Sequence, residues 1–210
     1  MRVIAALLVG LSLAVGLAGC NKAGGPGAVG ATDQGGMALG NPAAKVTVIE
    51  YASLGCPHCM EWNNNVFPLF KAKYIDSGKV HYVLREFLTG NVQIAAAGFL
   101  LAHCAGKDKY FQVVDAVFHH LDDMFAPGAS PRSVLLNIAE SAGMTEPQFD
   151  ACVDNQAALT ALNNRSDHYA KADHITGTPT FVINGKIYDQ GAMTLAQLDQ
   201  AIAQAEAPAK

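Results

Sequence analysis

The sequence has 210 residues, half of them hydrophobic, and its 14 Lys and Arg against 18 Asp and Glu give a net charge of −4. A chain of this length forms one or two domains and is long enough to bury a core. The positive charges form no cluster, which excludes the basic surface of a nucleic-acid-binding protein and a polybasic membrane patch.

Residues 1–19 predict a secretory signal peptide. Arg2 precedes an apolar run from Val3 to Ala18 that ends in small residues, a pattern that a signal peptide explains better than a membrane-spanning helix does. The segment ends in Leu17-Ala18-Gly19-Cys20, which resembles the cleavage site of bacterial lipoproteins, where the cysteine becomes the lipid-modified N-terminus. We therefore expect Cys20 to anchor the protein on the periplasmic side of a bacterial cell envelope. The alternative is ordinary cleavage, which discards Cys20 or leaves it as a stray thiol.

Residues 20–38 predict the lipidated cysteine followed by a flexible Gly-rich tether. The 20 residues after Cys20 include seven Gly and almost no large apolar side chain, so burial cannot offset the entropy cost of ordering them. The segment is also too short and too polar to be a separate dimerisation domain, and we therefore expect a monomer.

The segment after the tether predicts a strand, a helix and a second strand. Residues 45–53 form a short apolar, β-branched run that is typical of a strand buried on both faces. A helical pattern follows, with Pro57 at its first position, where the missing N–H costs nothing. Pro68 lies inside this pattern and should kink the helix about one turn earlier. Residues 79–87 predict the second strand.

Residues 91–173 predict an all-helical insertion. Gly, Pro and capping residues divide it into five helices, at about 91–104, 107–125, 131–143, around Cys152, and 156–172. Strands return at 180–183 and 186–189, joined by the hairpin turn Asn184-Gly185, and a capped helix follows. We therefore expect an α/β fold with a discontinuous sheet domain, a helical insertion and a disordered tail. The predicted bounds of the sheet domain are 39–90 and 174–205, and those of the tail are 206–210.

The chain has five cysteines: Cys20, Cys56, Cys59, Cys104 and Cys152. With Cys20 lipidated, four remain for an oxidising compartment, and four cysteines allow three connectivities that sequence alone does not resolve. Cys56 and Cys59 are one helical turn apart and pair most naturally with each other, which favours a structural bridge between Cys104 and Cys152. The alternative for that second pair is two buried, reduced thiols.

The motif Cys56-Pro57-His58-Cys59 carries the candidate chemistry. It follows a buried strand and opens a helix, where unpaired backbone N–H groups and a partial positive charge favour a thiolate on Cys56. His58 can add a hydrogen bond or a positive charge. A stabilised thiolate is a good leaving group in disulfide exchange, so the pair is expected to be oxidising.

The strand, the Cys-Pro-His-Cys motif, the helical insertion and a later Gly177-Thr178-Pro179-Thr180 together resemble the DsbA-type disulfide oxidoreductases. The resemblance covers about residues 37–205, essentially the whole mature domain. It implies a thioredoxin-like fold, of the order βαβ…ββα, interrupted by the helical insertion. Thr178 stands where the best-studied oxidases often have Val, and Thr at this position is also found in isomerases.

The resemblance also implies roles for single residues. Cys56 would form the mixed disulfide with substrate, and Cys59 would resolve it. Pro179 would be cis and lie against the active site, and Thr178 would offer backbone groups to the substrate. Glu50 would be the buried acid that relays the proton of the second cysteine, with a pKa raised by burial. Two alternatives stay open, a trans Pro179 at a strand start and a Glu50 that faces water.

The leading interpretation is a disulfide oxidase that acts on reduced exported proteins and needs no bound cofactor. By resemblance, a DsbB-like, quinone-linked membrane partner would reoxidise the pair. The nearest alternative is a disulfide isomerase or reductase. An alternative of another class is a copper(I)- or zinc-binding protein with Cys56, His58 and Cys59 as ligands. Elsewhere we predict no metal site, because a solvated helix surface explains His119, His120 and the neighbouring aspartates.

Overall fold

The computed structural model describes residues 29–31 and 35–207, which contain a six-stranded sheet. The spatial order of its strands is β1-β2-β4-β3-β5-β6. Strands β3 and β4 run parallel at the centre, and β5 pairs antiparallel with β3. The strands are β1 Val29–Ala31, β2 Met37–Gly40, β3 Val46–Ala52, β4 Val80–Glu86, β5 Thr180–Ile183 and β6 Lys186–Tyr188.

Short helices connect the two central strands. Helix α1, Pro57–Asn65, ends at Val66, and α2, Phe67–Phe70, continues into a π-helical turn, Lys71–Ile75. The predicted kink is therefore a break two residues before Pro68, which places this proline in the first turn of α2, where it needs no N–H partner.

Six helices separate β4 from β5, in place of the five predicted from the sequence. The expected helix at 107–125 is divided at His120, and nothing in the sequence marks that break. The α/β order of the sheet domain with its helical insertion is confirmed. The helices are α3 Val92–Cys104, α4 Tyr110–His119, α5 Leu121–Phe125, α6 Pro131–Ser141, α7 Glu146–Val153 and α8 Gln156–Ala172.

The prediction of a flexible tether up to residue 38 is wrong at its C-terminal end. Strand β2 is buried, pairs antiparallel with β4 and also pairs with β1, so the sheet extends into the predicted tether. Gly36 has a positive φ of 91°, and a Cβ added there would lie 2.5 Å from the carbonyl oxygen of Leu84. Glycine thus permits close packing here, whereas its frequency suggested a linker. The predicted signal peptide and Cys20 lie outside the described residues.

The C-terminal helix α9, Leu195–Glu206, packs against the sheet and begins with a capping box formed by Thr194 and Gln197. It extends one residue beyond the predicted domain end at 205, so the predicted tail at 206–210 is wrong at its first position. Residues 208–210 lie outside the described residues. Among the helices of the described ranges, none combines the length and hydropathy needed to cross a membrane.

A buried carboxyl group joins the insertion to the sheet. Glu86 at the end of β4 accepts hydrogen bonds from Tyr110 Oη at 2.9 Å and Arg165 Nη2 at 2.6 Å, and His103 Nε2 also contacts it. Burial alone would raise the pKa of Glu86, but the hydrogen bonds and charges of His103 and Arg165 lower it. Helices α3, α4 and α8 are therefore attached to the sheet through one carboxylate.

Candidate active site

The Cys-X-X-Cys pair lies where the central strand β3 meets helix α1. Cys56 is the N-cap residue of α1 and Pro57 occupies its first turn, as the sequence indicates. The backbone N–H of Cys56 donates to the carbonyl oxygen of Ser53 at 3.1 Å. Gly55 packs against the loop after β4, where an added Cβ would lie 2.2 Å from the carbonyl oxygen of Asn91. The segment before the helix is therefore held tightly between β3 and that loop.

The two sulfur atoms have opposite electrostatic environments. A hydrogen bond from the Cys59 thiol is the largest cause that lowers the pKa of Cys56, which falls to about 5 although burial opposes the change. Thr178 and the backbone N–H groups of Cys59 and His58 lower this pKa further. Cys59 is 0% exposed, and burial raises its pKa well above the ordinary value.

His58 contributes to the thiolate site through its backbone, while its side chain is exposed. The helix start that the sequence predicts therefore acts through the N–H groups of His58 and Cys59, which are unpaired within the first turn. In the reduced pair, Cys56 is the thiolate and Cys59 the thiol at neutral pH. This division suits a first cysteine that attacks or leaves in disulfide exchange.

Glu50 lies on β3 with only 2% of its surface exposed. Tyr82 Oη on the neighbouring strand donates a 2.5 Å hydrogen bond to its carboxyl group. Burial raises the pKa of Glu50 to about 8 against the lowering effect of this bond, and Glu50 interacts electrostatically with both cysteines. The Glu50 side chain therefore faces the interior and not the solvent, and its raised pKa keeps the carboxyl group protonated at neutral pH.

The loop before β5 supplies the other side of the site. The Thr178–Pro179 peptide bond is cis, and Cys56 Sγ lies 3.5 Å from the carbonyl oxygen of Thr178. Pro179 is followed directly by β5, which pairs with β3 so that Thr180 faces Tyr51. This pairing brings residue 178 beside residue 56 although the two are 122 positions apart in the chain.

Cys104 and Cys152 form a disulfide with a Cα–Cα distance of 6.2 Å. The bridge joins the end of α3 to α7 within the insertion. It lies next to His103, which contacts Glu86, so it supports the segment that attaches the insertion to the sheet.

We expect the double variant Cys104→Ala/Cys152→Ala to lower the free energy of unfolding by up to about 4 kcal/mol. The bridge closes a loop across 48 residues, and its removal returns that closure entropy to the unfolded chain. Urea unfolding of both proteins, with Cys56 and Cys59 reduced in each, measures the difference. Equal unfolding free energies would contradict the expectation.

Sequence reasoning missed three polar residues of the site: Ser53, Tyr82 and Thr89. The contact of Tyr82 with Glu50 could have been predicted from strand alternation, because Tyr82 lies on the same face of β4 as Leu84, whose register partner is Glu50. No sequence pattern predicts the contacts of Ser53 and Thr89, because these contacts depend on loop conformation. Within the ranges that the structure describes, no group of three or more His, Cys, Asp and Glu residues could hold a metal ion.

A thioredoxin-like sheet that presents a Cys-X-X-Cys pair at a helix start, beside a cis-proline, defines the class of thiol–disulfide oxidoreductases. Residues 32–204 match the family model described as Thioredoxin. The crystal structure of α-DsbA1 from Wolbachia pipientis is similar to this one, with a TM-score of 0.71 and 30% sequence identity. That similarity covers 80% of this chain and 88% of the other. The chain belongs to the thioredoxin family and is a member of the DsbA type.

Two curated relatives agree with this assignment. A Rickettsia conorii protein, provisionally named a protein-disulfide oxidoreductase, is 34% identical over 153 residues, which are 73% of this chain and 54% of that protein. Disulfide bond formation protein D of Bacillus subtilis is 27% identical over 157 residues, which are 71% of this chain and 68% of that protein. The match therefore spans about half the length of the Rickettsia relative.

Proposed function

We propose that this protein is an oxidising thiol–disulfide oxidoreductase that donates the Cys56–Cys59 disulfide to exported proteins. The main support for this proposal is the difference between the two cysteines. The pKa of Cys56 is lowered to about 5, whereas burial raises the pKa of Cys59 well above its ordinary value. A thiolate stabilised in the folded protein favours the reduced pair, so the corresponding disulfide readily accepts electrons from substrate thiols. The names of the relatives, which refer to disulfide oxidoreduction and disulfide bond formation, support the same activity.

The proposed reaction has two exchange steps. A substrate thiolate attacks Cys56 Sγ, the bond between Cys56 and Cys59 breaks, and a mixed disulfide with Cys56 forms. Cys59 leaves as a thiolate and takes up a proton, which Glu50 is suited to supply because it is protonated at neutral pH. A second substrate thiolate then attacks the substrate sulfur of the mixed disulfide and displaces Cys56 as a thiolate. The substrate gains a disulfide, and the enzyme keeps two electrons as its reduced pair.

The loop that carries Thr178 and cis-Pro179 is proposed to bind the substrate chain beside Cys56. Thr178 is partly exposed, and its carbonyl oxygen lies 3.5 Å from Cys56 Sγ. An extended substrate segment could pair with this backbone as a short added strand. The sheet domain would thus supply both the chemistry and the substrate contact.

Turnover requires an acceptor for the two electrons, which we propose to be a DsbB-like, quinone-linked membrane protein. The N-terminal sequence supports a location on the periplasmic side of the cell envelope, with Cys20 as the lipid-anchored residue. A monomeric domain held close to the membrane in this way would meet both its exported substrates and its reoxidant.

The test is the reduction potential of the Cys56–Cys59 pair, measured in glutathione buffers and combined with oxidation of a reduced dithiol peptide. An oxidase is expected to show a potential above about −180 mV and stoichiometric transfer of its disulfide to the peptide. A potential of about −270 mV, with the pair mostly reduced in cells, would overturn the proposal in favour of a reductase or isomerase. Tight stoichiometric copper(I) or zinc without catalysed exchange would favour a metal-binding protein instead.

A further inference from the structure

The side chain of Thr178 holds this residue beside the reactive cysteine. Thr178 Oγ1 lies 2.7 Å from Oγ1 of Thr89, which belongs to the loop after β4. The fully buried Ser53 donates through Oγ to the carbonyl oxygen of Thr89 at 2.8 Å. Ser53 Oγ also lies 3.3 Å from the backbone N of Gly55, the residue just before Cys56. The distance of residue 178 from Cys56 is therefore set by contacts outside its own loop.

A different hydroxyl sets the direction of the Thr178 backbone N–H. Thr180, the first residue of β5, donates through Oγ1 to the carbonyl oxygen of Gly177 at 2.8 Å, and only 3% of its surface is exposed. The peptide bond between Gly177 and Thr178 is trans. In a trans peptide the C=O and N–H groups point in opposite directions. The Thr178 N–H therefore points away from the Thr180 side chain that holds the Gly177 carbonyl group.

The Thr178 N–H is not used by the described part of the protein. No oxygen in residues 29–31 or 35–207 accepts a hydrogen bond from it, although Thr178 is only partly buried. A backbone N–H requires an acceptor when water is excluded, and a carbonyl oxygen of a bound substrate chain supplies one. The carbonyl oxygen of Thr178, 3.5 Å from Cys56 Sγ, offers the matching acceptor. Pairing with an extended chain depends on the directions of both groups.

The backbone before Thr178 has more freedom than the observed conformation requires. Glycine has the widest range of backbone angles of any residue. Gly177 does not use this range, because its φ is not among the positive values and a Cβ added to it would meet nothing within 4 Å. The Thr180 hydroxyl therefore restrains a peptide group that the sequence itself leaves free to turn.

We propose that Thr180 is a positioning residue whose hydroxyl holds the Gly177 carbonyl group and so aims the Thr178 N–H at the substrate backbone. The inference rests on the proposed function, since it specifies how the loop before β5 binds an extended chain. Two neighbouring contacts have separate tasks. The Thr89 contact keeps residue 178 at its distance from Cys56, and the Thr180 contact keeps its N–H in the direction that a substrate carbonyl oxygen needs.

The test compares two thiol substrates of the oxidised protein. A reduced dithiol peptide pairs with the loop backbone, whereas dithiothreitol has no peptide group and needs only the sulfur. In Thr180→Val the hydroxyl is lost and the β-branched shape is kept. We expect the second-order rate constant for peptide oxidation to fall about three- to tenfold. The rate constant for dithiothreitol should stay within about twofold of the wild type, because the distance of residue 178 from Cys56 is unchanged.

Three further variants separate the direction of the N–H from a general loss of structure. Thr180→Ser keeps the hydroxyl and should restore the peptide rate to within about twofold of the wild type. Thr180→Ala, which needs less space, should repeat the selective loss seen in Thr180→Val. Adding Gly177→Ala to Thr180→Val narrows the backbone range without a clash and should recover about twofold or more of the lost peptide rate.

The outcomes distinguish the inference from the proposed function. Peptide and dithiothreitol rates that fall by equal factors, a wild-type peptide rate in Thr180→Val and Thr180→Ala, or no recovery with Gly177→Ala would overturn the inference. A wild-type protein that transfers its disulfide to neither thiol would instead count against the proposed function itself.

Discussion

Replacing Cys59 with alanine is expected to turn short-lived mixed disulfides into complexes that accumulate through Cys56. The change removes the Cys59 thiol hydrogen bond, which is the largest cause of the low Cys56 pKa. Cys56 keeps its N-cap position and the N–H groups of the first helical turn, which also lower this pKa, so its thiolate still attacks a substrate disulfide and displaces one of the substrate sulfurs. The buried Cys59 that would resolve the complex is missing. Cys56→Ala, by contrast, should reduce dithiol oxidation to the uncatalysed level, because no other sulfur of the pair is accessible to substrate.

Non-reducing electrophoresis of envelope proteins from cells that express the Cys59→Ala variant measures this expectation. The matched control is Cys56→Ala/Cys59→Ala, which should form no complexes. Bands that persist in the control would assign capture to another cysteine. A Cys56→Ala variant that oxidised a dithiol peptide at the wild-type rate would contradict the role given to Cys56.

The parts of the fold that were predictable from sequence are those encoded by neighbouring residues. The bounds of α8 and the hairpin at Asn184-Gly185 agree with the structure, since caps and turns depend on a few adjacent side chains. The site at the start of α1 is of the same kind, because strand, cysteines and Pro57 are contiguous. The family resemblance added the pairing of this segment with a loop more than a hundred residues later.

The parts that were not predictable depend on contacts between distant segments. Strand β2 is a four-residue element among glycines, and only its pairing with β4 distinguishes it from a linker. The Thr89–Thr178 contact likewise requires two loops to meet, and neither loop shows a periodic pattern. Composition averaged over 20 residues indicates disorder correctly only when no such partner exists elsewhere in the fold.

The buried Glu50 is expected to make the folded protein less stable as pH rises. Its pKa is raised from the ordinary 4.5 to about 8, so between these values the folded state holds a proton that the unfolded state has lost. Stability therefore falls from pH 4.5 upward and the loss is complete above pH 8, by about 5 kcal/mol at 1.36 kcal/mol per pKa unit. The low pKa of Cys56 acts in the opposite direction over nearly the same range and would mask this loss in the reduced protein.

The measurement therefore uses the Cys56→Ala/Cys59→Ala background, in which neither sulfur of the pair titrates, while burial, the largest cause of the Glu50 shift, remains. Glu50→Gln in this background can still accept the Tyr82 hydrogen bond but cannot ionise. Urea unfolding at pH 5 and pH 8.5 should show that the free energy of unfolding falls by several kcal/mol when Glu50 is present. This loss should be absent in the Glu50→Gln variant, whose amide stays uncharged.

The exposed Glu61 on α1, changed to Gln, is the matched control and should leave the loss unchanged. Parallel pH profiles for the Glu50→Gln variant and its background would mean that this carboxyl group ionises freely in the fold, and its assignment as the proton donor to Cys59 would then fail.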